Sequence, residues 1–207
     1  MTKNHIAHDR INNEIQWGNL GLRLRTVIKN TPKNSRILVL GSGKGELVSL
    51  MRLNGYENIT TLDFNASVKP DIIHDLTKFP YPIKHQEYDI VIAFHVLEHL
   101  DFKIFHKIIS EIYDVLEHYG LLYFAVPIRS WYLTGKIRFC RFENQIELKP
   151  RLILKNFKKN NVHKWEISKQ FPPEKIITIL DNQGFNIKEK IHTFLNPVEL
   201  FYVCIKR

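Results

Sequence analysis

Arg36–Leu40 (RILVL) runs without a break into Gly41-Ser42-Gly43-Lys44-Gly45, and ELVSLMRLNGY follows at once. A short, continuously apolar run is what a strand buried on both faces of a parallel sheet requires. Leu47, Val48, Leu50, Met51 and Leu53 then recur at helical spacing, with Gly55 as the stop. Strand, glycine loop and helix in this order form a unit whose loop faces a ligand. Glycine belongs there because the backbone turns tightly and the ligand comes close. The free N–H groups of the first helical turn point the same way. Asp63 ends the next strand, Ile59–Asp63, 22 residues after Gly41. An acid at that point accepts ribose hydroxyls, so the pair indicates an adenosine-bearing cofactor.

Spacing narrows the choice. The dinucleotide fingerprint G-x-G-x-x-G needs glycine where this chain has Glu46, and an acid there would face a pyrophosphate badly. A P-loop is excluded, because Gly43-Lys44 is followed by glycine and no glycine lies five residues before Gly43. A plain glycine turn would require neither the flanking strand and helix nor Asp63.

The same alternation continues along the chain. Tyr88–Phe94 and Gly120–Val126 read as buried strands, Asp71–His74 as a short one, and Asp101–His118 has helical apolar spacing. Residues 10–30 read as an imperfect amphipathic helix interrupted near Gly18 and Gly21. Pro173–Gln183 reads as a helix ended by Gly184, followed by strands Phe185–His192 and Val198–Lys206. So short a turn between those last two forces them antiparallel, since a parallel pair needs a crossover. The expected fold is a doubly wound, mostly parallel, Rossmann-like α/β sheet with a terminal antiparallel strand pair. One domain of 207 residues accommodates it: a helical cover (1–33), a cofactor-binding core (34–127), a basic lid insertion (128–162) and a C-terminal helix and strand pair (163–207).

ILVLGSGKGEL, ITTLDFN, IIHDLTKFPYP, YDIVIAFHVLEHL and GLLYFAVP together resemble the class I S-adenosylmethionine-dependent methyltransferases, of the broad type 11-like group. The resemblance covers residues 34–127 well and 163–207 more loosely. It implies S-adenosyl-L-methionine as cofactor, with Gly41, Gly43 and Gly45 shaping its loop. It also implies Asp63 at the ribose, Phe64 next to it among the cofactor-binding residues, and Asp75 with Leu76 framing the adenine. The family usually carries an acid two places before the first glycine, which helps hold the methionine amino group; here that residue is Val39. Backbone carbonyls near Gly41, or Phe94 and His95 at the end of the fourth strand, are the expected substitutes.

His95-Val96-Leu97-Glu98-His99 literally matches the inverted zinc-peptidase pattern H-x-x-E-H. Its context argues against a metal, because His95 directly follows a buried strand instead of lying inside a long helix. No metal site is expected, and Leu97 and Leu100 then pack while Glu98 and His99 make local hydrogen bonds. His95 lies where ligands of open α/β sheets bind, and it either touches the cofactor's methionine end or acts as a general base; otherwise it caps the turn. His163, in His163-Lys164-Trp165, is the second base candidate.

The net charge of +9 is not evenly spread. Residues 128–162 hold nine basic and two acidic residues, which leaves the rest of the chain nearly balanced. Arg129, Trp131, Tyr132, Arg138 and Arg141 interleave aromatic faces with guanidinium forks, a combination suited to an anionic acceptor or an anionic membrane surface. A small or lipid-linked metabolite is the preferred acceptor. RNA is the alternative, although no RNA-binding module accompanies the core. A cofactor-binding regulatory protein without activity and, more distantly, a zinc peptidase complete the alternatives. Two cysteines, no signal-like N-terminus and no apolar run of transmembrane length point to a reducing, cytoplasmic setting, with at most peripheral membrane contact. Oligomeric state is left open.

Overall fold

A computed structural model describes residues 20–127, 133–139, 142–148, 172–192 and 199–207. Helix α1 covers residues 20–30. It is followed by β1 (Ile37–Leu40), α2 (Glu46–Leu53), β2 (Ile59–Asp63), β3 (Ile72–Ile73) and β4 (Tyr88–Phe94). Then come α3 (Phe105–Val115), β5 (Leu116–Pro127), β6 (Leu133–Phe139) and β7 (Phe142–Leu148). Helix α4 (Pro173–Gln183), β8 (Phe185–His192) and β9 (Glu199–Lys206) complete the described elements.

Seven strands form one sheet in the order β3-β2-β1-β4-β5-β9-β8. The first five are parallel, and β9 runs antiparallel between β5 and β8. The order reverses between β1 and β4, so the crevice at the carboxyl ends of these strands is the place where such sheets bind ligands.

Strand periodicity explains both layers of the core. Alternate residues Ile37, Val39, Ile90, Ile92, Tyr123, Ala125, Phe201 and Val203 face one way and pack with Val27 of α1 and with Val48 and Met51 of α2. Their neighbours Leu38, Leu40, Val91, Ala93, Leu122, Phe124, Tyr202 and Cys204 face the other way, against Phe105, Ile108, Ile109 and Ile112 of α3 and Ile176 and Leu180 of α4. Phe124 and Tyr202 stack with centroids 4.7 Å apart across β5 and β9. Cys204 is wholly buried, and burial pushes its thiol pKa up.

Gly21 lies inside α1 without interrupting it; Gly18 falls outside the described residues. Helix α3 is shorter than its apolar spacing suggests, beginning at Phe105 after a one-turn 3-10 helix and ending at Val115. Leu116 already pairs with Tyr88 in the sheet. The freed carbonyls at the helix end find donors. Gln86 N reaches Asp114 O at 2.8 Å, Glu87 N reaches Val115 O at 3.0 Å, and Lys206 Nζ donates to Tyr113 O and Leu116 O at 2.7 Å each. Helix α4 begins with proline in its first turn and ends at Gly184, whose φ of 98° closes it in the left-handed region. Among the described residues no helix is long and apolar enough to cross a membrane.

The segment after β5 contains a separate two-stranded antiparallel sheet, β6 with β7, whose register sets Arg138 opposite Glu143.

Candidate active site

The glycine loop leaves β1 with φ values of 64°, 52° and 77° at Gly41, Gly43 and Gly45. All three lie in the left-handed region that only glycine enters cheaply. Gly41 has a second constraint. A Cβ there would sit 2.5 Å from Val96 Cγ2, so the loop and the segment after β4 touch through a space that no side chain can share.

Asp63 closes β2 and is 7% exposed. Its Oδ2 accepts from Gly43 N at 3.0 Å and its Oδ1 from Asn65 N at 2.9 Å, which ties the acid to the glycine loop. Each carboxylate oxygen keeps a further lone pair for a ribose hydroxyl. Phe64 stands beside it, 77% exposed. Asp75 Oδ1 accepts from Thr77 N and Thr77 Oγ1, both at 2.9 Å, and these hydrogen bonds hold its carboxyl below the usual range. Leu76 is buried, with its carbonyl accepting from Tyr81 Oη at 3.1 Å. At the ends of β1, β2 and β4, Val96 fills the space a Cβ on Gly41 would need, the space beside Gly43 and Gly45 is open among the described residues, and the Asp63 carboxylate accepts from the loop. These features fit a nucleoside cofactor.

The far side of the crevice is ionic. Phe94 ends β4, edge-on to Phe201 at 5.4 Å, and the Arg23 guanidinium lies 5.3 Å from its ring centroid. His95 follows with φ 54°, its N–H donating to Ala125 O at 3.1 Å. Its Nε2 is hydrogen-bonded to Glu199 Oε2, and its Nδ1 lies 3.2 Å from Glu98 Oε1. Arg23 Nη1 is 3.7 Å from Glu199 Oε2. Burial alone would lower the pKa of His95, but hydrogen bonds to Glu199 and Glu98 outweigh it and raise the value to about 9. Glu199 and Glu98 thus hold both ring nitrogens, an arrangement that favours the protonated ring.

Sequence reasoning named His95 but missed Arg23 and Glu199, and it gave Glu98 only local bonds. Glu199 carried one signal, an acid opening the otherwise apolar run ELFYVCIK. Residues 97–99 form a single 3-10 turn, so the two histidines of the H-x-x-E-H pattern do not sit one helical turn apart on an α-helix. Among the described residues no group of three His, Cys, Asp or Glu side chains is arranged to hold a metal ion. Arg138 lies on β6, while Arg129, Trp131, Tyr132, Arg141 and His163 lie outside the described residues.

A family model described as a methyltransferase domain matches residues 13–190. The chain belongs to this methyltransferase family. Its fold agrees with solved structures of low sequence identity. A SAM-dependent methyltransferase from Archaeoglobus fulgidus is 16% identical with a TM-score of 0.63, the match covering 99% of this chain and 100% of that one. The N-methyltransferase NodS from Bradyrhizobium japonicum WM9 is 13% identical with a TM-score of 0.62, covering 94% and 97%. Magnesium protoporphyrin IX methyltransferase from Synechocystis PCC 6803, solved with bound SAM, is 12% identical with a TM-score of 0.62, covering 96% and 83%. Comparison with the curated proteins gives no match.

Proposed function

We propose that this methyltransferase uses S-adenosylmethionine and transfers its methyl group to an oxygen or nitrogen of an anionic small or lipid-linked metabolite. The observation that carries the cofactor assignment is the hydrogen bond from Gly43 N to Asp63 Oδ2, which joins the left-handed glycine loop to the acid at the end of β2. Gly41, Gly43 and Gly45 let the backbone approach the ligand, Asp63 and Phe64 take the ribose, and Asp75 with Leu76 frame the adenine. When bound, S-adenosylmethionine supplies a methyl group on a sulfonium that leaves as a neutral thioether. The protein's share is alignment and exclusion of water.

His95 and Phe94 form the wall at the methionine end. His95, whose two ring nitrogens are engaged by Glu199 and Glu98, and His163 are the two candidates for the base that takes the proton of any acceptor that must lose one. The acceptor assignment is supported by the basic segment 128–162, which leaves the sheet at the carboxyl end of β5, the same end as the glycine loop.

Titration calorimetry with S-adenosylmethionine and S-adenosylhomocysteine, beside NADH and with metal content assayed on the same sample, tests the cofactor reading. Micromolar binding of the two sulfur nucleosides and not of NADH is the expected result. Binding only of NADH or zinc would overturn it. An acceptor screen then separates phosphorylated or lipid-linked metabolites from RNA, and binding without turnover of any acceptor would favour a regulatory role.

A further inference from the structure

The cofactor assigned above carries an α-ammonium, a compact and strongly hydrated cation with three donors that needs oxygen acceptors when it is taken into a crevice. Val39, where the resembled family places an acid, is aliphatic and 3% exposed, so β1 offers no carboxylate. The acids that the described residues do bring to this end of the sheet differ in what is left to them. Asp63 accepts from Gly43 N and Asn65 N, and its remaining lone pairs are those assigned to the ribose above. Asp75 is exposed and accepts from Thr77 through Oδ1, and Glu199 faces His95 and Arg23.

Glu98 is different. Its side chain is 2% exposed and its Oε1 lies 3.2 Å from His95 Nδ1, while His99 Nε2 stands 4.0 Å from that same oxygen. Its Oε2 is buried and receives no hydrogen bond among the described residues. Buried carboxylate oxygens are nearly always satisfied, and one that is not calls for a missing donor. The place is right as well. Val96, two residues earlier, is the side chain packed into the space a Cβ on Gly41 would need, so the turn carrying Glu98 rests on the glycine loop.

We propose that Glu98 Oε2 is the anchor for the α-ammonium of the cofactor's methionine moiety, with His95 holding the same carboxylate through its other oxygen. The inference rests on the S-adenosylmethionine reading above and assigns it a residue. The ammonium then completes the hydrogen bonding of an oxygen that burial has stripped of water.

The test compares S-adenosylhomocysteine with its analogue lacking the α-amino group, by calorimetry on the full chain. Wild-type protein is expected to bind S-adenosylhomocysteine about tenfold or more tightly than the des-amino ligand, the scale of a charge-assisted hydrogen bond. Glu98→Gln is expected to abolish that preference by weakening only the amino-bearing ligand. Glu98→Asp, which keeps the charge one methylene back, retains a reduced preference and serves where the amide variant does not fold. A Glu98→Gln protein that keeps the full preference, or that loses both ligands equally, overturns the assignment, the second result marking Glu98 as a prop for the loop. Wild-type protein that binds both ligands alike also overturns it. Wild-type protein that binds neither overturns the cofactor reading itself.

Discussion

Nε2 of His95 is hydrogen-bonded to Oε2 of Glu199, a residue 104 positions further along the chain. The bond joins the end of β4 to the start of β9, two strands that do not pair with each other in the sheet. It holds a non-glycine residue at φ 54°, a conformation that persists only where its surroundings over-determine it. Glu98 on the other ring nitrogen and Arg23 beyond Glu199 finish the chain of charges.

This arrangement makes stability depend on pH in a definite direction. The folded-state pKa of His95, about 9, lies above its ordinary value of about 6.5. Its contribution is therefore complete below about pH 6.5 and is lost as pH rises through about 9. Thermal melts should show Tm falling by a few degrees between pH 7 and 9.5, and His95→Gln should flatten that decline. An unchanged slope in the variant would remove His95 as its source.

Asp63→Ala should weaken S-adenosylhomocysteine binding by about 1.5–3 kcal/mol, the value of a hydrogen bond to a charged group. Calorimetry on a variant shown to be folded reads this directly. Undiminished affinity would take Asp63 out of the site.

Gly41→Ala combines two penalties, a left-handed φ of 64° and a Cβ 2.5 Å from Val96 Cγ2. A loss of about 1–3 kcal/mol in stability is expected from denaturant melts. Adding Val96→Ala should recover the steric share and leave the backbone share. Complete recovery would show that backbone strain contributes nothing.

Lys206 offers a contrast remote from the crevice. It is 4% exposed, and its ammonium bonds the carbonyls of Tyr113 and Leu116 where α3 gives way to β5. Lys206→Met should lower stability by about 1–3 kcal/mol by stranding those acceptors, with cofactor affinity unchanged by calorimetry. A parallel loss of affinity would mean that this corner reaches the site.

Neutralising Arg138 and Arg141 together should raise the KM for the acceptor several-fold and leave the Kd for S-adenosylhomocysteine alone. Equal losses in both would argue against a separate acceptor-binding segment.

Much of the fold was legible because it rests on local patterns. Ile37–Leu40 announced itself as a buried strand by four apolar residues in a row. Pro173 and Gly184 marked both ends of α4 through the backbone angles that proline and glycine favour. The end of α3 was not legible. Leu116 falls at helical spacing from Ile112, and an apolar residue on a helix's buried face looks the same as one opening a buried strand; only the pairing with Tyr88 decides. In the site, the glycines and Asp63 could be read because they lie within one strand–helix–strand stretch. Arg23 and Glu199 could not, since their roles come from β9 and α1 meeting β4 in space, and no sequence spacing encodes that meeting.

The placement of β9 between β5 and β8 also bears on how the chain reaches its native state. Until β9 inserts, the five parallel strands end in β5, whose Leu122, Phe124 and Val126 would line an unpaired apolar border. Such a border is a template for strands from other molecules. The late antiparallel strand that carries Glu199 to the crevice is thus also the molecule's own seal against aggregation during synthesis. Variants that delay its docking should be lost to insoluble material before any defect in methyl transfer could be measured.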